Sequence, residues 1–238
     1  MKIFLSLLSL CLLVASGSAF AAIADTTSPG DFQDTVDWCV NFGCANNYTV
    51  FPTPQPFTST AGATGLVGLE GTGQGFQNWQ QGASWYGNMP ADMGIIYNGA
   101  TDGNTPTGIT VNFDSGNYGA GAYIQSYFYG PFTATVELFD SSSQPIGSYT
   151  TTGTSGYAPG TALFIGMLDS SPDVYAAEFW AYGVSGLPPG GFEPDFGIGT
   201  AGIRNTPYTP PGVPEPVTFL LLGPALIGMG MLKRRLSR

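Results

Sequence analysis

Glycine and proline interrupt this chain so often that no long helix can form between its two apolar ends. The sequence holds 35 glycines and 19 prolines among 238 residues. Away from the ends, no stretch of about three helical turns keeps an apolar helical period without a glycine or proline breaking it. Segments that alternate apolar and polar residues are common instead, for example Gly108–Phe113 (GITVNF) and Phe132–Leu138 (FTATVEL). Such alternation is typical of half-buried β-strands.

About ten short segments carry this strand pattern, and turns rich in Gly, Asn, Asp and Ser separate them. The predicted strands are Thr35–Val40, Gly65–Leu69, Gly94–Tyr97, Gly108–Phe113, Ala120–Tyr129, Phe132–Leu138, Ile146–Thr151, Ala162–Met167, Val174–Tyr182 and Phe196–Ile203. The sequence therefore predicts an all-β fold, an antiparallel β-sandwich over residues 22–204. A proline-rich spacer over residues 205–212 follows it.

The charges are distributed unevenly, and their distribution restricts the partners. Among the six basic residues, only Arg204 lies away from the two extreme ends, whereas all sixteen acidic residues lie between those ends. A surface of this sign repels phosphate backbones and anionic lipids, so no nucleic acid is expected as a partner. The sequence has no histidine, which excludes Ser-His-Asp catalysis and most zinc sites. Neutral sugars, multivalent cations and basic proteins stay possible.

The N-terminal end has the layout of a secretory signal peptide. Lys2 precedes a short apolar run over Ile3–Ala15, and small residues with an A-x-A site at Ala19–Ala21 follow it. A positive start, a short apolar stretch and a small-residue cleavage site define such a signal. We expect residues 1–21 to be removed as the protein is secreted.

The C-terminal end consists of three parts in a fixed order. A Pro-Glu-Pro motif comes first, an apolar stretch over residues 217–232 follows, and a basic tail over residues 233–238 ends the chain. The motif residues are Val213, Pro214, Glu215 and Pro216, and the basic cluster is Lys233, Arg234 and Arg235. At 1.5 Å per residue the apolar stretch spans roughly 24 Å, so it predicts a short transmembrane helix with a cytoplasmic tail.

This three-part order resembles the PEP-CTERM sorting signal of Gram-negative bacteria, here over residues 213–238. The resemblance implies recognition by an exosortase, a sorting protease of the inner membrane. It also implies transient anchoring through the C-terminal helix, and then release or attachment at the cell surface or in the exopolysaccharide matrix of a biofilm.

The middle of the chain is similar to the bodies of many PEP-CTERM proteins. The similar stretches are Gly121–Gln125 (GAYIQ), Gly130–Val136 (GPFTATV) and Thr161–Ser170 (TALFIGMLDS). This resemblance implies a jelly-roll-like sandwich and no established activity. Phe196–Thr200 (FGIGT) departs from the related pattern because it lacks a final Asp.

Two cysteines stay in the mature chain, Cys39 and Cys44. An oxidising compartment and a short intervening loop favour a structural disulfide between them. The spacing excludes a redox CxxC motif, and a metal site would need further ligands.

The segment Asn78–Asn88 (NWQQGASWYGN) has the composition of a sugar site. Trp79, Trp85 and Tyr86 offer flat apolar faces, and neighbouring amides offer hydrogen bonds to hydroxyls. The alternative is that these aromatic rings cap the core. Further along, the tyrosines near the end of the segment Ala120–Tyr129 are expected to be alternating strand positions.

Acidic residues near both ends of the sandwich suggest a calcium site. Asp31, Asp34 and Asp37 recur near the start, while Glu193 and Asp195 precede the last predicted strand. If the first and last segments lie side by side, Asp34, Asp37 and Asp195 could share a Ca²⁺ ion, which prefers oxygen ligands. The alternative is that these acids end loops and share no geometry. No other cofactor is expected.

The sequence contains no closely spaced acidic triplet of the kind that sandwich glycosidases carry on one strand. Glu137 and Glu178 are expected to be isolated, solvent-facing strand residues, and no catalytic residue is predicted. The sequence therefore predicts a secreted, exosortase-sorted surface or exopolysaccharide-matrix protein with a non-enzymatic structural or adhesive role. The alternatives are a carbohydrate-binding module that uses the aromatic segment, and a β-sandwich polysaccharide hydrolase.

Overall fold

The computed structural model describes residues 23–44, 49–70, 75–99, 107–183 and 195–209. The predicted signal peptide, the Pro-Glu-Pro motif, the apolar stretch and the basic tail lie outside these ranges. The chain divides into a compact unit, Met1–Tyr208, and a second unit, Thr209–Arg238. Within the described ranges, no helix has both the length and the apolar character that a membrane crossing requires.

The described residues form two antiparallel β-sheets, with 59% of residues in strands and 5% in helices. The strands are β1 (Ile23–Thr26), β2 (Asp34–Val36), β3 (Val50–Pro52), β4 (Gln55–Thr58), β5 (Thr64–Leu69), β6 (Gly75–Gln80), β7 (Gly94–Tyr97), β8 (Ile109–Asn117), β9 (Gly119–Ser126), β10 (Gly130–Phe139), β11 (Pro145–Ser155), β12 (Leu163–Asp169), β13 (Val174–Gly183) and β14 (Phe196–Ile203). A 3₁₀ turn (Pro29–Asp31) and one short helix, α1 (Trp38–Phe42), complete the described elements.

One sheet has eight strands in the order β1-β12-β9-β14-β7-β6-β3, and β2 also pairs with β14. The other sheet has six strands in the order β11-β10-β13-β8-β5-β4. Both sheets send apolar side chains into one shared core. The prediction of an all-β sandwich is confirmed at this level.

Alternation along each strand determines which side chains reach that core. On β10, Phe132, Val136 and Leu138 are buried, while Glu137 between them points to the opposite face. Successive residues of a strand face opposite sides of the sheet, so the pattern read from the sequence determines the buried face. Each such buried side chain contributes roughly 1.5–3 kcal/mol.

Most of the predicted strands are present, with three kinds of difference. The prediction for Thr35–Val40 is wrong after Val36, because the Asp37 carboxylate caps α1 by accepting hydrogen bonds from the backbone N–H groups of Cys39 and Val40. The strand predicted to reach Tyr129 ends at Ser126. Sequence patterning also missed the short strands β1, β3, β4 and β6.

The helix α1 lies against the eight-stranded sheet. Trp38 is fully buried, and its indole Nε1–H donates to the carbonyl oxygen of Gly199 at 2.7 Å. The disulfide predicted between Cys39 and Cys44 is present and closes the loop that follows the helix.

Candidate binding site: an aromatic cleft

The eight-stranded sheet has a second apolar layer on the face that points away from the shared core. On β7, Ile96 packs into the shared core, whereas Ile95 and Tyr97 on either side of it point outward. On β6, Trp79 joins them on this outer face. The chain between β6 and β7, residues 81–93, folds over these side chains and adds Trp85 to the layer.

Hydrogen bonds hold this covering segment in place. The side-chain oxygen Oε1 of Gln125, on β9, accepts from Trp85 Nε1–H at 3.0 Å and from the backbone N–H of Asn88 at 3.1 Å. Within the segment, Gln81 Nε2 donates to the carbonyl oxygen of Gly87 at 2.7 Å. The single amide oxygen of Gln125 therefore positions both the indole ring and the chain that follows it.

The rings beneath the segment pack edge to face. The ring centroids of Trp79 and Trp85 lie 5.8 Å apart at an interplanar angle of 86°, and those of Trp85 and Tyr97 lie 5.4 Å apart at 64°. Tyr127 extends the group, with its ring 5.7 Å from Trp85. Edge-to-face pairs of this kind are each worth about 0.5–1.5 kcal/mol beyond their buried area, so the cleft floor is rigid.

A cleft of about 260 Å³ opens above this floor. Its lining consists of Trp79, Ser84, Trp85, Tyr86, Gln125, Tyr127, Phe128 and Tyr129. The rim aromatics are accessible: Tyr86 is 67% exposed, Phe128 60% and Tyr129 48%. The arrangement offers flat apolar faces around a floor that also carries an amide.

The three predicted sugar-binding residues occupy different positions in this cleft. Trp79 and Trp85 are 9% and 3% exposed and form its floor, so their rings cap the outer apolar layer, which was the alternative interpretation. Only Tyr86 presents its ring to solvent.

The strand predicted over Ala120–Tyr129 is wrong at its last three residues, the accessible aromatics Tyr127, Phe128 and Tyr129. They follow the last residue of β9 and precede Gly130, where β10 begins. Three consecutive aromatics directly before a Gly-Pro pair were the signal for a connection rather than a strand, because strand alternation would have buried every second ring.

The pKa values of two phenols in and beneath the cleft, Tyr97 and Tyr129, are raised. Burial and the neighbouring carboxylate of Asp195, which accepts a hydrogen bond from Tyr97 at 2.8 Å, raise the pKa of Tyr97. Partial burial, followed by the hydrogen bond and charge of Tyr157, raises the pKa of Tyr129 to about 12. Tyr97 and Tyr129 are therefore neutral hydroxyl groups at physiological pH.

The structure does not bring the predicted calcium ligands together. β2 and β14 are adjacent, as expected for first and last segments, but antiparallel pairing places Asp34 opposite Ile203. Asp195 precedes the other end of β14, roughly 20 Å or more away at the usual rise per strand residue, and its carboxylate contacts Tyr97. Asp37 caps α1. In the described ranges, no three His, Cys, Asp or Glu side chains are grouped so that they could hold a metal ion.

Asp34 has a structural role that the sequence did not indicate. Its carboxylate is fully buried and accepts hydrogen bonds from Ser59 and Thr60 and from the backbone N–H groups of Thr35 and Ala61. Burial alone would raise the pKa of Asp34, but the hydrogen bonds outweigh it and hold the pKa below its ordinary value. Because Ser59–Ala61 belong to the turn between β4 and β5, this carboxylate ties the two sheets together.

Three glutamates meet on the outer face of the six-stranded sheet, which corrects the expectation of isolated acids. Glu137 and Glu178 lie directly opposite each other on β10 and β13. Glu70 follows β5, and its backbone N–H donates to Gly108. Burial, then the charges of Glu70 and Glu137, raise the pKa of Glu178 to about 7 against an opposing hydrogen bond from Trp180. Sequence separation concealed this cluster, because the three glutamates lie far apart in the chain, on β10, on β13 and directly after β5.

Comparisons with known proteins identify no family for this chain. No protein-family model matches the chain, and no curated protein matches it. Among solved structures, the chain is similar to the enzymatically active domain of tailspike protein 4 of bacteriophage CBA120, with 14% sequence identity and a TM-score of 0.31. The match covers 58% of this chain and 19% of that one. A likeness this slight supports neither a fold assignment nor an activity.

Proposed function

We propose that this protein is an adhesive component of the cell surface or exopolysaccharide matrix that binds polysaccharide in its aromatic cleft. One observation carries the proposal. Six aromatic side chains are exposed among the described residues, and Tyr182 alone lies on the other sheet. Four of the remaining five line the cleft, namely Tyr86, Tyr127, Phe128 and Tyr129, and the fifth, Tyr157, stacks on Tyr129.

The chemistry of the cleft suits a sugar ring. Sugars present apolar C–H faces that pack on aromatic rings, and hydroxyls that need hydrogen-bond partners. Tyr127 and Phe128 supply rings, while Gln125 and the phenol hydroxyls supply polar groups. An exposed aromatic cluster with no such ligand would favour nonspecific association instead.

The test is retardation of the purified full-length protein in gels that contain exopolysaccharide from the producing bacterium. The double variant Tyr127→Ala/Phe128→Ala should lose most of the retardation. The matched control is Tyr182→Ala, which removes an exposed ring from the six-stranded sheet and should bind like wild type. Equal retardation of all three proteins would contradict the proposal.

The sorting route is the second part of the proposal. We propose that the chain is secreted, held transiently in the inner membrane, and processed by an exosortase at the PEP-CTERM signal. The resemblance over residues 213–238 supports this route. The separate resemblance of the middle of the chain supports a jelly-roll-like connectivity of the sandwich, with which the pairing of β2 and β14 agrees. Replacing Pro214, Glu215 and Pro216 by alanine should leave the full-length form in the inner membrane, as should loss of the exosortase. Normal processing of that variant would refute it.

A polysaccharide hydrolase is the second candidate, favoured by the facing pair Glu137 and Glu178. Directly opposite strand residues have Cβ atoms roughly 4.5–5.5 Å apart, close to the carboxyl separation of retaining glycosidases. A carboxyl with a raised pKa, Glu178, beside a second carboxyl, Glu137, also fits an acid and a nucleophile. Release of reducing ends from the exopolysaccharide that both Glu178→Gln and Glu137→Gln abolish would establish this activity. Turnover that neither variant changes would exclude it.

A further inference from the structure

A second groove lies beside the aromatic cleft. It is shallow and open, encloses about 520 Å³, and its lining consists of Asn88, Pro131, Thr152, Gly153, Thr154, Gly156, Tyr157, Ala158 and Thr161. Tyr157 borders this groove, and Tyr129 borders the cleft. The two rings stack with centroids 4.1 Å apart at an interplanar angle of 30°. The stacked pair is therefore the boundary that the two depressions share.

Asn88 joins the floors of the two depressions. Its backbone N–H donates to Gln125, which lines the cleft, while its side chain lines the second groove. The side-chain amide Nδ2 donates to the carbonyl oxygen of Thr154 at 2.9 Å and to Thr161 Oγ1 at 3.1 Å. Asn88 is 2% exposed, and its Oδ1 accepts no hydrogen bond in the structure. These hydrogen bonds hold Asn88 in place beneath both depressions, and its Oδ1 is an acceptor without a donor among the described residues.

Among the residues that the structure describes, no charged side chain lines either depression. The net charge of the described residues is strongly negative. Their one basic side chain, Arg204, already donates hydrogen bonds to the carbonyl oxygens of Asp31 and Thr206. A polyanion would be repelled at long range and would find no counter-charge on contact. An uncharged polysaccharide is not repelled in this way.

The sizes of the two depressions indicate how much ligand they hold. The cleft alone is smaller than the roughly 300–1,000 Å³ of sites that enclose drug-sized ligands, and the two together fall within that range. Both are open, so a chain can continue past either end. A single ring would leave the second groove empty.

Building on the proposed function, we infer that cleft and groove form one continuous site for an internal segment of an uncharged polysaccharide. The segment lies across the stacked Tyr129–Tyr157 pair, with one part against the rim aromatics and the other along the threonines of β11. Affinity then depends on chain length up to the size that fills both depressions. Short fragments use only the cleft.

The experiment measures dissociation constants of the full-length protein for size-fractionated fragments of neutral exopolysaccharide from the producing bacterium. Oligogalacturonates of matched length serve as anionic counterparts. Thr152→Arg obstructs the groove with a long side chain at an exposed position of β11. Thr58→Arg is the matched control, because Thr58 is an exposed threonine on β4 at the opposite edge of the same sheet.

We expect the longest fragments to bind at least about tenfold more tightly than disaccharides. Thr152→Arg should reduce long-fragment affinity to the disaccharide value, Thr58→Arg should not, and oligogalacturonates should not bind. Equal affinity for fragments of all lengths would overturn the continuous site, and so would an unchanged long-fragment affinity of Thr152→Arg. Either result would mean that the polysaccharide binds in the aromatic cleft alone. Tight binding of oligogalacturonates would overturn the uncharged ligand class. Absence of binding at every length would overturn the proposed function together with this inference.

Discussion

The two sheets share one core, but their outer faces differ in almost every property. The outer face of the eight-stranded sheet carries Trp79, Ile95 and Tyr97 beneath a covering segment, and the described residues that line its cleft are all uncharged. The outer face of the six-stranded sheet carries Glu137 and Glu178 beside threonines, with no such cover among the described residues.

Connection length produces this difference. The six-stranded sheet joins β10 to β11 and β4 to β5 by short turns, Asp140–Gln144 and Ser59–Ala63, that stay at its ends. The eight-stranded sheet joins β6 to β7 through residues 81–93, long enough to fold back over the sheet. A sheet face that a loop covers can be apolar, and one that faces water must be polar. The aromatic cleft therefore arises on the covered face.

The largest expected effect comes from removing the floor of the covered face. Trp85→Ala deletes a side chain that is 3% exposed, and it also breaks the hydrogen bond to Gln125. The free energy of unfolding should fall by about 3–5 kcal/mol, measured by urea denaturation. Tyr86→Ala, the adjacent but 67% exposed ring, should change it by less than about 0.5 kcal/mol. Similar losses for both would show that the segment does not pack on the sheet.

A second prediction concerns the carboxylate that connects the two sheets. Asp34→Asn replaces one carboxylate oxygen by an NH2 group, although both oxygens accept hydrogen bonds, Oδ2 from Ser59 and Oδ1 from Thr60 and Ala61. The unfolding free energy should fall by about 2–3 kcal/mol because buried donors lose their acceptor. Since the folded-state pKa of Asp34 is lowered, wild type should lose this contribution on acidification below about pH 4, and the variant should not. The control is Asp25→Asn, an exposed carboxylate of the same charge.

A third prediction tests the uncovered face through its pH dependence. The pKa of Glu178 rises from an ordinary 4.5 to about 7, so the folded state binds this proton more tightly than the unfolded state. The contribution of protonated Glu178 to folding stability is fully present below pH 4.5, the ordinary pKa of a glutamate, and is lost as the pH rises through about 7. The groups that face Glu178 are Glu70, Glu137 and Trp180.

Melting temperatures between pH 5 and pH 8 measure this effect. Wild type should melt at a lower temperature at pH 8, and Glu178→Gln should remove part of that decline. Asp25→Asn removes one charge far from the cluster and should keep the wild-type slope. A Glu178→Gln profile parallel to that of wild type would mean that the glutamates do not interact.

The smallest expected effect on stability separates the cleft's rim from its floor. Phe128→Ala removes a ring that is 60% exposed, so the unfolding free energy should change by less than about 0.5 kcal/mol. Retardation by exopolysaccharide should nevertheless weaken. A variant that unfolds like Trp85→Ala would place Phe128 in the core and contradict the distinction between rim and floor.

Local patterns predicted the parts of this structure that depend on neighbours in sequence. Alternation along β10 identified the buried positions Phe132 and Leu138, and the short spacing of Cys39 and Cys44 indicated their disulfide. Composition excluded long helices because glycine and proline act locally on the backbone. The end of β9 was misplaced because apolar aromatics at Tyr127–Tyr129 satisfy strand propensity even where the chain leaves the sheet.

The sequence by itself determined the all-β class, the strand faces, the disulfide and the sign of the charge. The tertiary structure alone decided which residues meet: Asp34 with the Ser59–Ala61 turn, Glu137 with Glu178, and Tyr129 with Tyr157. It also buried Trp79 and Trp85 while exposing Tyr86. The reason is that strand propensity and alternation act over a few residues, whereas strand order and the path of a covering loop depend on packing between distant segments.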